Sequence, residues 1–236
     1  MKHLPLGLFL LGVSLAHAQQ NFINVPSSEA TKAHKIFFQQ QLNLNELIQS
    51  NTTFDFGLGS GFEMGVNVLG LNFSEKRKSF LNNDTNDIDP YNPLMALNGL
   101  KQINLNEKIS LAFGGQAGLN FRKDKPTYEA FLAYGNVLFK DVFTKEDKFV
   151  AGAYYNSRHY GGRGTRSGAW IAAEIPLINK VHIMGESILG NNALCNSAFG
   201  IVYYPKPYLP LTFGFQIPNI KRNSYAFVFE LTFVPQ

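Results

Sequence analysis

Apolar and small or polar residues alternate along much of this chain. Phe54–Val68 reads FDFGLGSGFEMGVNV: the even positions are apolar except Ser60, and the odd positions are Asp, Gly, Glu or Asn. Successive side chains on a β-strand point to opposite faces, so a period of two predicts strand. The pattern recurs in Ile109–Phe121, Ala193–Tyr203, Leu211–Ile217 and Tyr225–Phe233. Turn and loop signals between such runs divide the chain into twelve strands, near 35–46, 50–58, 62–73, 93–105, 109–121, 127–139, 148–158, 167–177, 181–190, 193–204, 209–218 and 224–234. Each has about the 9–11 residues that a tilted membrane strand needs. Ten or fourteen strands stay open as alternatives.

Short turns are expected at Gly59-Ser60-Gly61, Asn106-Glu107-Lys108, Asp141–Asp147, Ile178-Asn179-Lys180 and Pro205–Tyr208. Longer loops, rich in Gly, Asn and Asp, are expected at Ser74–Asn92, Arg122–Pro126, Ser157–Arg166 and Asn219–Asn223. A three-residue turn pairs residues i and i+4, so Phe54–Val68 folds as a hairpin around its glycine turn with Phe54, Phe56 and Leu58 on the face of Phe62, Met64 and Val66. Two places fit poorly. The apolar set changes face near Gly135, which suggests a bulge. Lys101 falls on the apolar face of its strand, so either it snorkels to an interface or the register there differs.

Alternation alone does not say which face meets water. A soluble barrel or sandwich turns its apolar face inward and covers the outside with Lys, Glu, Thr and Arg. Here the non-apolar face is mostly Gly, Ala, Ser and Asn with isolated carboxylates, which suits a crowded or water-filled interior. The Phe- and Leu-rich face then suits lipid. The reading is an all-β, closed, antiparallel transmembrane β-barrel of about twelve strands. A closed barrel satisfies every backbone group in a bilayer and leaves no edge, and an even count puts both ends on the periplasmic side. The apolar faces of the five runs quoted above carry no charge, where an outward Lys or Arg at mid-membrane costs about 2–4 kcal/mol.

The ends agree. Residues 1–18 read as a signal peptide: Lys2, an apolar core over Leu4–Leu15, and Ala16-His17-Ala18 as a small-x-small cleavage site. Cleavage after Ala18 and export to the outer membrane are expected. Residues 19–34 form a periplasmic N-terminal segment with two readings, a plug in the barrel mouth or a free tail. Pro26-Ser27-Ser28-Glu29 resembles a helix start within it. The barrel takes 35–236. The single cysteine, Cys195, excludes a disulfide framework. Charged residues are sparse at 16%, and a net charge of +4, less the positive Lys2, is too weak to argue for nucleic acid.

The signal followed by NVPSSEATKAHKIFFQQQLNLNE and then FDFGLGSGFEMGVNV resembles outer-membrane β-barrel proteins of Bacteroidota-type bacteria, mostly uncharacterised. The resemblance is strongest over Asn24–Phe73. It implies location and architecture, and it carries no catalytic residue onto this chain.

Candidate chemistry is thin. Asp55, Glu63, Glu174, His182, Glu186 and Glu230 fall on the lumen face. In the expected hairpin Ala172 faces Glu186 and Glu174 faces Met184, so Glu174 lies diagonal to both His182 and Glu186. The functional reading is a proton-linked, metal-binding or cation-selective constriction; the structural reading, which is favoured, is an internal ion-pair network. One His and two carboxylates under-ligand a metal, and no metal, cofactor or catalytic residue is assigned. Arg158, His159, Arg163 and Arg166 sit in a basic surface loop suited to lipopolysaccharide phosphates. A Ser–His lipid hydrolase using His159 with Ser157 or Ser167 is the less favoured alternative, because nothing in the sequence supplies an orienting third group. Asn83–Asp89 matches a calcium loop in composition only, lacking its Gly and terminal Glu. The expected role is a small channel or transport-related pore for small polar or cationic solutes, with a non-conducting surface receptor or scaffold as the alternative. Its partners would be outer-membrane lipids, lipopolysaccharide and the barrel-assembly machinery.

Overall fold

The structure, a computed structural model, describes residues 21–74, the backbone of 79–81, 92–121 and 128–234. The signal peptide, its cleavage site and Asn83–Asp89 lie outside the described residues. In chain order the strands are β1 (Ile36–Leu44), β2 (Ile48–Gly59), β3 (Phe62–Ser74), β4 (Ser79–Leu81), β5 (Leu94–Asn104), β6 (Ile109–Asn120), β7 (Tyr128–Lys140), β8 (Lys148–Asn156), β9 (Ser167–Ile178), β10 (Val181–Leu189), β11 (Asn196–Lys206), β12 (Leu209–Pro218) and β13 (Ala226–Phe233). A one-turn helix, α1 (Arg158–Gly161), lies between β8 and β9. All pairings are antiparallel, and β13 pairs back onto β1 with Leu42 opposite Phe229, so the sheet closes on itself. β4 only extends β3 beyond the wall, leaving a closed barrel of twelve strands.

Three hairpins share one device. The β2–β3 hairpin turns on Ser60-Gly61 alone, with φ of 52° and 74°, as a tight two-residue connection requires. A register shift then follows between Gly57 and Gly59, so Phe56 still faces Met64. The β9–β10 hairpin does the same around Asn179-Lys180 and restores Glu174 opposite Met184. The turn expected at Pro205–Tyr208 tightens to two residues, with Lys206 opposite Leu209 and a register shift between Tyr203 and Lys206. A two-residue turn plus one bulged residue gives the register of a three-residue turn.

The outer face is a continuous apolar belt. Leu97, Phe213, Ile201 and Phe227 are each at least half exposed, at 65%, 53%, 50% and 66%. Lys101 points outward near the short-turn end. Its Nζ sits 3.9 Å from the Phe62 ring centroid and donates to the Ser60 carbonyl at 2.5 Å, so the ammonium reaches back to the Ser60-Gly61 turn.

The interior is two-sided, and this corrects one expectation. No bulge occurs at Gly135: β7 pairs with β6 and β8 in unbroken register. Ala130, Leu132, Tyr134, Asn136 and Leu138 all point inward. Apolar residues occupy both faces of β7 because this half of the lumen is itself an apolar core. Leu132, Leu138, Val150, Tyr154, Trp170, Met184, Val202, Tyr204 and Val228 form it, with the Trp170 ring stacked on Tyr154 at 5.0 Å. On β1–β6 the inward residues include a row of amides, Gln39, Gln41, Asn43, Asn67, Asn98 and Gln116, beside the apolar Phe37, Leu94 and Leu100.

Candidate functional site

The N-terminal segment runs through the lumen. A tight turn, with Phe22 N donating to the Val25 carbonyl at 2.9 Å, places Phe22, Ile23 and Val25 against the apolar half of the wall, each at most 2% exposed. No helix starts at Pro26: Ser28 takes a φ of 75°, outside the right-handed helical region. Carboxylates on the wall fix the segment. Glu186 accepts from Asn24 N, from Asn24 Nδ2 at 2.7 Å and from Val25 N at 3.1 Å. Glu63 Oε2 accepts from Thr31 N and Thr31 Oγ1 at 2.7 and 2.8 Å. Glu29 pairs with Lys148 on β8 at 2.5 Å and with Lys140 on β7 at 3.8 Å, and Ala30 N donates to Gln102 Oε1. Residues 29–31 therefore lie across the short-turn end.

What the segment leaves open is a cavity of about 1070 Å³ against the amide wall. It reaches from Asn45, Asn72 and Asn223 near the loop end down to Glu63 and Leu100 near the short turns. A hydrogen-bonded ladder crosses it. Asn98 Nδ2 donates to Asp55 Oδ1 at 2.8 Å and to Asn67 Oδ1 at 2.9 Å. Asn67 Nδ2 donates to Gln116 Oε1 at 2.6 Å, and Gln116 Nε2 donates to the Tyr160 hydroxyl at 2.6 Å. Tyr160 belongs to α1, which the loop Ser157–Arg166 folds inward over the bore.

The inward carboxylates named from the sequence are placed separately. Asp55 joins the ladder, Glu63 and Glu186 hold the N-terminal segment, and Glu230 accepts from Thr232 Oγ1 at 3.1 Å, fully buried. Glu174 and His182 do meet, Oε1 to Nδ1 at 2.7 Å, with the Tyr204 hydroxyl donating to the same oxygen at 2.6 Å. Glu186 is not part of that cluster; the N-terminal segment has claimed it. His182 Nε2 instead comes within 4.0 Å of Glu146. Among the described residues no three His, Cys, Asp or Glu side chains are grouped to hold a metal ion.

In the loop, Arg158, Arg163 and Arg166 are exposed. The His159 ring stacks on Tyr128 at 4.4 Å and its Nδ1 lies 3.3 Å from the Glu129 carbonyl. Ser157 Oγ accepts from Phe131 N and Tyr160 N, capping α1. At the opposite end, the Asp147 carboxylate closes the Asp141–Asp147 turn by accepting from Thr144 N, Val142 N and Phe143 N. Burial pushes its pKa up, but these bonds outweigh burial and hold it below the ordinary 3.8.

No family model and no curated protein matches the sequence. A solved structure does: "KdgM porin in complex with disordered oligogalacturonate" superposes with a TM-score of 0.56, covering 85% of this chain and 99% of its own, at 8% identity. The likeness is one of fold. The chain thus shares the closed-barrel fold of that porin.

The amides of this wall are neither charged nor nucleophilic, and their plainest signal in the sequence is QQQLNLN over 39–45, where Gln39, Gln41, Asn43 and Asn45 alternate on one face of the same wall.

Proposed function

We propose that this chain is an outer-membrane barrel that admits small polar or cationic solutes from the loop end into the amide-lined bore. It passes them to the periplasm when residues 21–34 shift off the short-turn end. The observation carrying this reading is the cavity itself, which follows the β1–β6 wall almost from rim to rim and is covered below by residues 29–31. The apolar belt and the closure of the twelve-stranded wall on itself support a bilayer location. Glu46, Asp55 and Glu63 line the bore against a single Arg222, so anions are disfavoured. Arg158, Arg163 and Arg166 would meet lipopolysaccharide phosphates outside. The test is planar-bilayer recording of the purified full-length protein. Cation-preferring conductance that rises when residues 21–31 are deleted is expected. Silence from both forms overturns the reading.

A second reading, a non-conducting receptor or scaffold, is favoured by one observation: Phe22, Ile23 and Val25 are buried as deeply as core residues. The deletion separates the two. A receptor whose bore is merely filled would gain no solute-selective conductance by losing the segment and would keep co-purifying partners.

A further inference from the structure

We infer that the amide wall of the bore is a binding site for an uncharged, polyhydroxylated ligand, a neutral saccharide of a few units. The inference rests on the reading of this cavity as open to solutes, and it names their class.

A primary amide offers two N–H donors and two acceptor lone pairs. The ladder bonds of Asn67 use one N–H toward Gln116 and one lone pair from Asn98. Those of Gln116 use one N–H toward Tyr160 and one lone pair from Asn67. Asn67 and Gln116 thus each spend one donor and one acceptor on holding their neighbours, which fixes their orientation. One donor and one acceptor are left over on each of these two. A sugar hydroxyl, which donates one hydrogen bond and accepts others, is the matching group. Fixed amides also incur little ordering cost when a ligand arrives.

Charge points the same way. The two carboxylates deepest in the bore are occupied: Asp55 by Asn98, and Glu63 by Thr31 through both its backbone N–H and its hydroxyl. A cationic ligand would have to share these carboxylates with the donors already on them. An anionic ligand would meet acids and amides, with Arg222 placed only among the loops, where its guanidinium donates to the Asn191 carbonyl and side chain. Tyr134 and Tyr160 line the same space and offer ring faces beside the amides, the mix of apolar surface and a few convergent polar groups that small-molecule sites show. At about 1070 Å³ the cavity stands at the upper end of such sites, enough for more than one sugar ring.

Titration calorimetry on the detergent-solubilised full chain tests this with three trisaccharide probes: neutral raffinose, anionic sialyllactose and the cationic, fully deacetylated chitosan trimer. Raffinose should bind at least about tenfold more tightly than either charged probe. Asn67→Leu with Gln116→Leu, which removes two donor–acceptor pairs, should weaken raffinose about tenfold or more. Heat-modifiable electrophoretic mobility checks that this variant is folded, and the three-probe comparison on the unaltered protein decides the matter even if it is not. Absence of raffinose binding, or equal binding of sialyllactose, overturns the inference. Conductance measured on the same preparation keeps the two readings apart. Conduction without raffinose binding removes the saccharide site and leaves the channel. Raffinose binding without conduction removes the channel and leaves the site.

Discussion

Glu186 is the anchor whose removal says most about the N-terminal segment. It takes four hydrogen-bond contacts from Asn24 and Val25 across two oxygens, all between 2.7 and 3.1 Å. Hydrogen bonds to a charged group contribute about 1.5–3 kcal/mol each. The bonds to Asn24 N share one donor, so three donors count. Because their contributions are not fully additive, about 3–5 kcal/mol is a fair figure for Glu186→Ala. That shifts the balance between seated and released segment by about a hundredfold or more. The burial of Phe22, Ile23 and Val25 still opposes release, at about 1.5–3 kcal/mol for each large side chain. The expected outcome is a seated segment that opens far more often, rather than one permanently expelled. Hydrogen–deuterium exchange on the detergent-folded protein reads this directly. Amides of 22–31 should exchange about a hundredfold faster in Glu186→Ala, while those of β6 and β12 keep their protection. Glu186→Gln, which retains one acceptor oxygen, should fall between. Unchanged exchange over 22–31 in Glu186→Ala would refute the claim that this carboxylate seats the segment.

Phe213, half exposed midway along β12, should face acyl chains; Phe213→Arg is expected to cost about 2–4 kcal/mol in urea titrations of vesicle-folded protein, and an effect near zero would argue against lipid contact there. Trp170→Ala should cost about 3–5 kcal/mol in the same assay, followed by electrophoretic mobility, because it empties the stack on Tyr154 and leaves Asn136 Oδ1 without its donor at 2.7 Å. The Asp147 turn has a defined acid limit. Its carboxyl lies below the ordinary 3.8 in the folded chain, so its contribution is complete above that value and is lost as pH falls through the lowered one. Exchange of the 142–144 amides, corrected for intrinsic rate, should therefore stay flat down to the ordinary carboxylate range and rise only below it. Asp147→Asn should raise it at neutral pH and remove the acid step.

The barrel was legible because its strongest constraint, period-two alternation, is local. Phe54–Val68 alone sets two strands, a turn and the outward face. Even the turn length could be misjudged without harm: the bulge after Ser60-Gly61 returns the pair Phe56–Met64 to the register that a three-residue turn would set. β7 misled for the opposite reason. Its alternation is weak because Leu132 and Leu138 inside are as apolar as Phe131 and Phe139 outside, and periodicity cannot separate two greasy faces. The site was less legible still. Spacing placed Glu174 and Glu186 on one face, but only the path of a distant segment, 162 residues away in sequence from Asn24 to Glu186, decides that Glu186 holds the N-terminal segment and Glu174 pairs with His182.

The two-sided lumen explains why one segment can occupy the bore without filling it. Had the whole inner wall been apolar, residues 22–25 could slide to any register and the lumen would pack shut. Had it been amide throughout, Phe22, Ile23 and Val25 would have no surface to leave water for, and ordering the segment would go uncompensated. The split wall confines the apolar residues to β7–β13, while Glu186, Glu63 and the Glu29–Lys148 pair fix their height. The amides of β1–β6 are then left lining a cavity. It follows that the two kinds of change separate: widening the cavity demands loss of an anchor, whereas substitutions at Asn67, Asn98 and Gln116, which bond to one another, to Asp55 and to Tyr160 rather than to residues 21–34, alter its lining and leave the segment seated.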